Sequence, residues 1–236
     1  MSTIQLLTFD LDDTLWDVRS IVLRADAAMM RWLGENYPKL TTHFDQNDFM
    51  ALRAEVYQQH PAIRHDLGAL RRQTLELALH RSGHSESECE IGARAAFDVF
   101  FHERNIVEFF PGVMSTLEAL KQQYPLYALS NGGADIAHMG LGHLFTLHLS
   151  AAAVGAAKPD PAMYLKALEH AGIKPANAIH IGDHPEQDVE AAQKIGIKTI
   201  WVNFQNKPWP LEKRADGELK VFEELPELIA RIASNS

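Results

Sequence analysis

The segment Gln5 to Thr14 (QLLTFDLDDT) runs apolar and then stops at three acids, Asp10, Asp12 and Asp13. Side chains alternate faces along extended backbone, so Asp10 and Asp12 point the same way just past a strand, where like charges repel and burial penalises both. A hard divalent cation removes that penalty. Magnesium suits the pattern, because it is held by one or two carboxylates together with waters and phosphate oxygens. The same residues also fit a solvated turn, with Asp10 or Asp13 capping the next helix and Thr14 in its first turn.

Three later places repeat the arrangement of polar residues at the carboxyl end of an apolar run, which is where open α/β sheets bind ligands. Ser130 and Asn131 follow Leu126 to Leu129 and offer a hydroxyl and exposed backbone N–H groups beside Gly132, a turn able to hold anionic oxygens, although the same residues also make an ordinary Ser-Asn-Gly-Gly turn. Lys158 precedes Pro159, Asp160 and Pro161, and the two prolines stiffen the approach so that Lys158 becomes a positioned point charge. Asp160 reads as the start of a helix. Gly182 and Asp183 end the run Ala178 to Ile181, and Asp188 follows on the next turn or helix. One of these two acids can complete a cation site with Asp10, while the other orients a water or Lys158. Asp188 taken alone is also an ordinary solvated helix acid.

The elements that must position these groups fall into two kinds. From Thr14 the pattern is helical for some ninety residues. Helices are predicted around Ile21 to Leu33, over Asp45 to Gln59 and Leu67 to Arg81, and from Ser85 with Glu88 as its capping-box partner. From Pro111 the signal alternates. It gives helix Val113 to Gln123, strand Leu126 to Leu129, a short helix towards Leu141, and apolar segments near Leu147 and Val154. Helix Pro161 to Ala171, strand Ala178 to Ile181, helix Gln187 to Ile195 and strand Thr199 to Val202 follow. The opening strand Ile4 to Phe9 belongs to this second set, since a lone strand cannot pair with helices. The expectation is a Rossmann-like parallel α/β core of residues 1–15 and 106–236 with a four-helix insertion of residues 16–105. The polar loop from Asn203 to Gly217, with Trp209 between two prolines, fits either a rim of the site or plain surface.

FDLDDTL, LSNG, KPDP and GDHPEQD, in this order and each at a predicted strand end, resemble the four signature motifs of the haloacid dehalogenase superfamily. The resemblance covers the whole chain, and the inserted helices match the superfamily's cap between the first and second motifs. It implies that Asp10 is the nucleophile that becomes an aspartyl phosphate, and that Asp12 protonates the leaving alkoxide and then activates water. It further implies that Asp10, the backbone carbonyl of Asp12, and Asp183 hold Mg2+, with Asp188 behind them. Ser130, the Asn131 backbone and Lys158 then neutralise the transferring group, and Thr14 orients Asp10. His184 and Gln187 depart from the residues many relatives carry. Asp13 reads as a turn residue, and His138, His143 and His148 as packing or surface residues.

The superfamily's dehalogenases lack the second aspartate, because no leaving alkoxide needs a proton, so Asp12 speaks against dehalogenation. A phosphomutase of the same cap type uses the same motifs. Receiver domains, non-enzymatic aspartyl-phosphate switches, share an acidic cluster and a Lys-Pro but place the phosphoacceptor on a later strand and are about half as long. In layout the chain is similar to bacterial phosphatases acting on flavin mononucleotide and on the phosphorylated ribitylaminouracil precursor of riboflavin. Related caps serve nucleotides and sugar phosphates. The cap, which in the superfamily closes over the cleft, then selects the small-molecule phosphomonoester. The segment Ala62 to Arg72 carries Arg64, His65, Asp66, Arg71 and Arg72, of which His65 and one arginine are candidates to face substrate, and the same segment equally fits a solvated loop and helix face.

Composition narrows the partners. A net charge of −9, from 31 acidic and 22 basic residues with no basic run, argues against nucleic acid or an anionic membrane surface. The single cysteine, Cys89, allows no internal disulfide, and the first residues carry no basic, apolar leader pattern. The longest uncharged segment, Phe145 to Ala157, is too short to span a bilayer. A cytoplasmic protein is the expectation.

Overall fold

The computed structural model describes residues 3–234. The chain divides into two compact units, one built from the residues up to Val18 and from Glu108 onward, the other from Arg19–Val107.

The first unit is organised on β1 (Leu6–Phe9), whose four residues are all buried. A strand covered on both faces reads as a continuous apolar run, and LLTF is such a run. Beside it lie β2 (Leu126–Ser130) and β4 (Ala178–Gly182), both buried throughout. The sheet has six strands in the order β3-β2-β1-β4-β5-β6, where β3 is Leu147–Ser150, β5 Lys198–Val202 and β6 Gly217–Leu219. Every pairing is parallel. Phe9 is level with Ala128 on one side and Ile181 on the other, so the carboxyl ends of the three central strands open at one height. Connection order reverses beside β1, which makes this edge the topological switch point.

The second unit is helical. It holds α1 (Val18–Asn36), α2 (Pro38–His43), α3 (Gln46–Gln59), α4 (Leu67–Arg81) and α5 (Glu86–Arg104), with α1 beginning at the junction. Its core includes Met29, Leu33, Leu75, Leu79, Ala93 and Phe100. Ser85 and Glu88 form the expected capping box at the start of α5, and Asp45 and Asp48 form a second at α3. The sequence pattern ends its first helix at Tyr37-Pro38. The chain does stop there, but Pro38 then starts the short α2, because a fixed φ and a missing N–H cost nothing at a first helical position.

The α/β unit continues through α6 (Val113–Lys121), α7 (Ala151–Val154), α8 (Ala162–Ala171), α9 (Ala191–Lys194) and α10 (Leu225–Ser234). The short helix expected towards Leu141 is instead a series of turns. There Asp135 Oδ1 accepts from the N–H groups of Ala137 and His138 at 3.0 and 3.1 Å, a side-chain bond that competes with helix formation. The helix expected over Gln187 to Ile195 begins as a π-helical segment, Pro185–Glu190, before α9. β6 and α10 lie beyond the elements read from sequence. Trp16, placed with the helices by the sequence reading, sits in the α/β unit, where its ring meets Phe109 edge-on at 5.9 Å. No helix among the described residues is long and apolar enough to cross a membrane.

Candidate active site

Asp10 leaves the end of β1 with its N–H donated to Ile181 O at 2.8 Å, which ties it to β4. Its carboxylate accepts from Lys158 Nζ at 2.6 Å through Oδ1 and from the Thr14 hydroxyl at 3.3 Å through Oδ2. The same ammonium donates to Asp188 Oδ1 at 2.6 Å. Lys158 is thus a buried cation clasped by two buried acids, brought together from positions 10, 158 and 188. Asp183, at the end of β4, completes the group: one carboxylate oxygen from each of Asp10, Asp183 and Asp188 lies within 4.8 Å of the others.

The charges here do not balance. Burial pushes the Asp10 carboxyl up to about 7 despite Lys158, with Asp188 adding to the rise. Burial, with Asp10 and Asp188 close by, pushes Asp183 up to about 8. Asp188 behaves oppositely: burial disfavours its charge, yet Lys158 and His180 hold it below the usual carboxylate range. Burial opposes the Lys158 ammonium, and Asp10 and Asp188 more than offset this, so its pKa is pushed up. Three hard oxygen donors facing one ammonium are a donor set that fits a hard divalent cation.

Local structure explains why each group stays in place. The π-helical turn brings Asp188 back under the strand end, where its Oδ2 accepts from His184 N–H at 2.9 Å. Such single-turn π segments recur at functional sites. Gly182 has no side chain because a Cβ there would lie 2.4 Å from the Asp188 carboxyl carbon. Asn131 clamps two motifs together. Its Oδ1 accepts from Lys158 N–H at 2.7 Å, and its Nδ2 donates to Lys158 O and Gln187 Oε1, both at 2.9 Å. Ser130 is fully buried, with its Oγ accepting from Gly132 N–H at 2.9 Å. Asp12 is half-buried, and its Oδ1 accepts from the Trp16 indole at 2.8 Å.

Sequence reasoning did not single out His180 or Tyr164. His180, wholly buried in β4, has Nε2 3.2 Å from Asp188 Oδ1 and Nδ1 2.8 Å from the Thr8 hydroxyl. Burial lowers its pKa, and a neutral ring with its proton on Nε2 serves both contacts. Tyr164 meets the ring edge-on at 4.9 Å and donates its hydroxyl to Gln187 O at 2.7 Å. A polar residue inside the otherwise apolar strand AIHIG was the available signal for His180.

The candidates in the helical unit are placed by local contacts. Arg64 donates to Tyr57 O at 2.8 Å and to Gln58 O at 3.3 Å, with its guanidinium over the Tyr57 ring. Arg72 lies over Phe97 at 4.7 Å, and Arg71 pairs with Asp26 over Phe100. His65 is half-buried, while Asp66 caps α4 by accepting from Ala69 N–H at 2.8 Å. In the α/β unit, His148 on β3 is half-buried, its Nε2 has no hydrogen-bond partner among the described residues, and burial lowers its pKa.

A family model described as haloacid dehalogenase-like hydrolase matches residues 4–196. The chain is 33% identical over 206 residues to the 5-amino-6-(5-phospho-D-ribitylamino)uracil phosphatase YigB of Escherichia coli, covering 87% of this chain and 86% of that protein. It is 32% identical over 162 residues to a phosphoserine phosphatase of Thermus thermophilus, covering 65% and 64%. Among solved structures, a 2-haloacid dehalogenase from Pseudomonas syringae pv. Tomato superposes with a TM-score of 0.94 at 39% identity, covering 97% of this chain and 99% of that one.

Proposed function

The chain belongs to the haloacid dehalogenase-like hydrolases, and on that premise we propose that it is a magnesium-dependent phosphatase cleaving a small-molecule phosphomonoester through a phosphoaspartate on Asp10. The observation that carries this reading is the surplus of negative charge where Asp10, Asp183 and Asp188 converge around the single Lys158 ammonium. Magnesium would be held by carboxylate oxygens of Asp10 and Asp183 with the backbone carbonyl of Asp12, and Asp188 would orient Lys158. When bound, the ion would supply positive charge that keeps these acids ionised and neutralises phosphate oxygens.

Asp10 attacks phosphorus through one carboxylate oxygen. The phosphorus bond to the ester oxygen breaks, and Asp12 gives its proton to the departing alkoxide. Asp12, now a carboxylate, takes a proton from water. The resulting hydroxide attacks phosphorus, inorganic phosphate leaves, and Asp10 is restored. Lys158 draws charge from the transferring group while the Trp16 indole holds Asp12, and Thr14 steadies the Asp10 oxygen that does not react. Asn131 fixes the Lys158 main chain, so the ammonium is aimed before substrate arrives.

For the substrate, the similarity to a phosphatase named for a ribitylaminouracil phosphate supports that compound or flavin mononucleotide. The likeness to a solved 2-haloacid dehalogenase favours a second reading, carbon–halogen hydrolysis by the same Asp10. Asp12 supports the phosphatase reading, since a halide leaves without a proton and an alkoxide does not. The test is phosphate release with and without magnesium on para-nitrophenyl phosphate, flavin mononucleotide, the ribitylaminouracil phosphate, nucleotides and sugar phosphates, beside chloride release from 2-chloropropionate. Asp10→Asn is the control. Magnesium-dependent phosphate release that vanishes in the variant is expected. Chloride release alone would overturn the phosphatase reading, and stable phospho-labelling of Asp10 without turnover would make the protein a switch.

A further inference from the structure

Of the three converging acids, Asp183 is held least directly. Asp10 receives hydrogen bonds from Lys158 and Thr14, and Asp188 from Lys158, His180 and His184 N–H. Among the described residues no donor reaches the Asp183 carboxylate. What fixes Asp183 is its main chain: the Trp201 indole Nε1–H donates to Asp183 O at 2.8 Å. Trp201 is 4% exposed and sits on β5 level with Gly182, so the indole lies alongside the strand end from which Asp183 projects. A hydrogen bond to that carbonyl sets the plane of the peptide and hence the direction of the side chain.

The indole is itself backed by the loop after β5. Trp209 meets Trp201 edge-on with ring centroids 4.9 Å apart. The loop carrying Trp209 is stapled by Asn203, whose side chain accepts from Lys207 N–H at 2.8 Å and donates to Lys207 O at 2.9 Å and Glu218 at 2.7 Å. Contacts therefore run from Trp209 through Trp201 to the Asp183 carbonyl, while Asn203 staples the loop that carries Trp209.

We propose that Trp201, braced by Trp209, is a positioning residue for the Asp183 carboxylate and so sets the affinity of the site for its divalent cation. This rests on the magnesium-phosphatase reading above. A bond to a ligand's own peptide acts as an outer contact of a metal site, and losing such contacts costs roughly 10–100-fold in metal affinity or activity.

The deciding measurement uses the intact protein labelled with 15N-tryptophan, whose four indoles each give one signal. On titration with magnesium chloride, the Trp201 indole signal is expected to move with the half-saturation seen in phosphate release, while Trp32, in the helical unit, stays put. Trp201→Phe keeps a ring but loses the donor. The half-saturating magnesium, read both by phosphate release and by thermal upshift, is expected to rise about tenfold or more, a larger change than in KM for para-nitrophenyl phosphate at saturating metal. Trp209→Phe, which leaves the indole–carbonyl bond in place, should move the same midpoint less. A Trp201 signal that stays still while activity saturates overturns the proposal, as does a Trp201→Phe protein of lower Tm with an unchanged metal midpoint. If the Phe variant does not fold, the titration of the unaltered protein decides. An unaltered protein showing neither metal-dependent phosphate release nor any metal-induced shift brings down the phosphatase reading first, and this role with it.

Discussion

Lys158→Met is the substitution whose outcome the site's electrostatics fix most tightly. The methionine fills most of the stem's volume but removes the ammonium bonded to both Asp10 and Asp188, each at 2.6 Å, in surroundings where the lysine side chain is 1% and that of Asp188 2% exposed. Removing one partner of a buried pair leaves an uncompensated charge and costs about 3–5 kcal/mol. At about 2–4 °C per kcal/mol for a chain of this size, the metal-free protein should melt roughly 10 °C lower at pH 8. In the parent protein, the Lys158 pKa is raised, so its stabilisation is fully present below the ordinary lysine value and constant through neutral pH. Without Lys158, Asp10 and Asp188 become acids with raised folded-state pKa values. Their stability contribution is then present below the unfolded value of about 3.9 and lost as pH rises through the folded value. The deficit should therefore shrink towards about pH 5, where the stranded acids take up protons. Thermal unfolding of both proteins in chelator across this range reads the effect directly, and phosphate release should fall by about 10²–10³. An equal fall in Tm at both ends of the range, or one under about 2 °C, would refute the charge accounting behind it.

Metal-free Asp10 and Asp183, raised to about 7 and about 8, hold stability that is complete below about pH 4 and is lost as pH rises through those values. Magnesium should accordingly raise Tm more at alkaline than at mildly acidic pH, as differential scanning fluorimetry would show. Gly182→Ala places a Cβ against the Asp188 carboxyl and should cut kcat by about 10²-fold, like other displacements of about 1 Å in a positioned site, with a lower Tm in calorimetry. Gln187→Ala leaves Asn131 Nδ2 without a side-chain acceptor and should cost about 1 kcal/mol in urea unfolding. Replacing His65 and Arg72 by Ala should change which members of a phosphoester panel are turned over more than activity on para-nitrophenyl phosphate; equal losses throughout would dissociate these residues from substrate choice.

The parallel sheet was legible because a strand buried on both faces has a plain signature, and the runs LLTF, LYALS and AIHIG are each followed at once by a polar residue, Asp10, Asn131 and Asp183. Helix α10 was missed although Leu225, Leu228, Ile229 and Ile232 follow helical spacing, because it lies beyond the motifs on which the reading was built. β6, only three residues long, carries too little pattern to be recognised. The π-helical turn was beyond reach, because periodicity does not distinguish a helix with one wider turn. That turn also decides where Asp188 goes, and sequence spacing alone left its carboxylate on an ordinary helix face.

The side-chain network behind the motifs was hidden for a different reason. Asn131 reads in sequence as a turn residue offering its backbone, yet its amide bonds Lys158 and Gln187, 27 and 56 residues away. His180 and Thr8 share a level in paired strands, and only strand register brings the imidazole to Asp188. Such partners are selected by long-range pairing, which residue types alone do not encode. The consequence is chemical as well as structural. Asp188 can stay ionised beside Asp10 because Lys158 and His180 both face it, whereas Asp183 has no such neighbour among its hydrogen-bond partners and is raised to about 8. One acid is thereby committed to holding the lysine and another is left short of positive charge, a division of roles among like residues that environment alone creates.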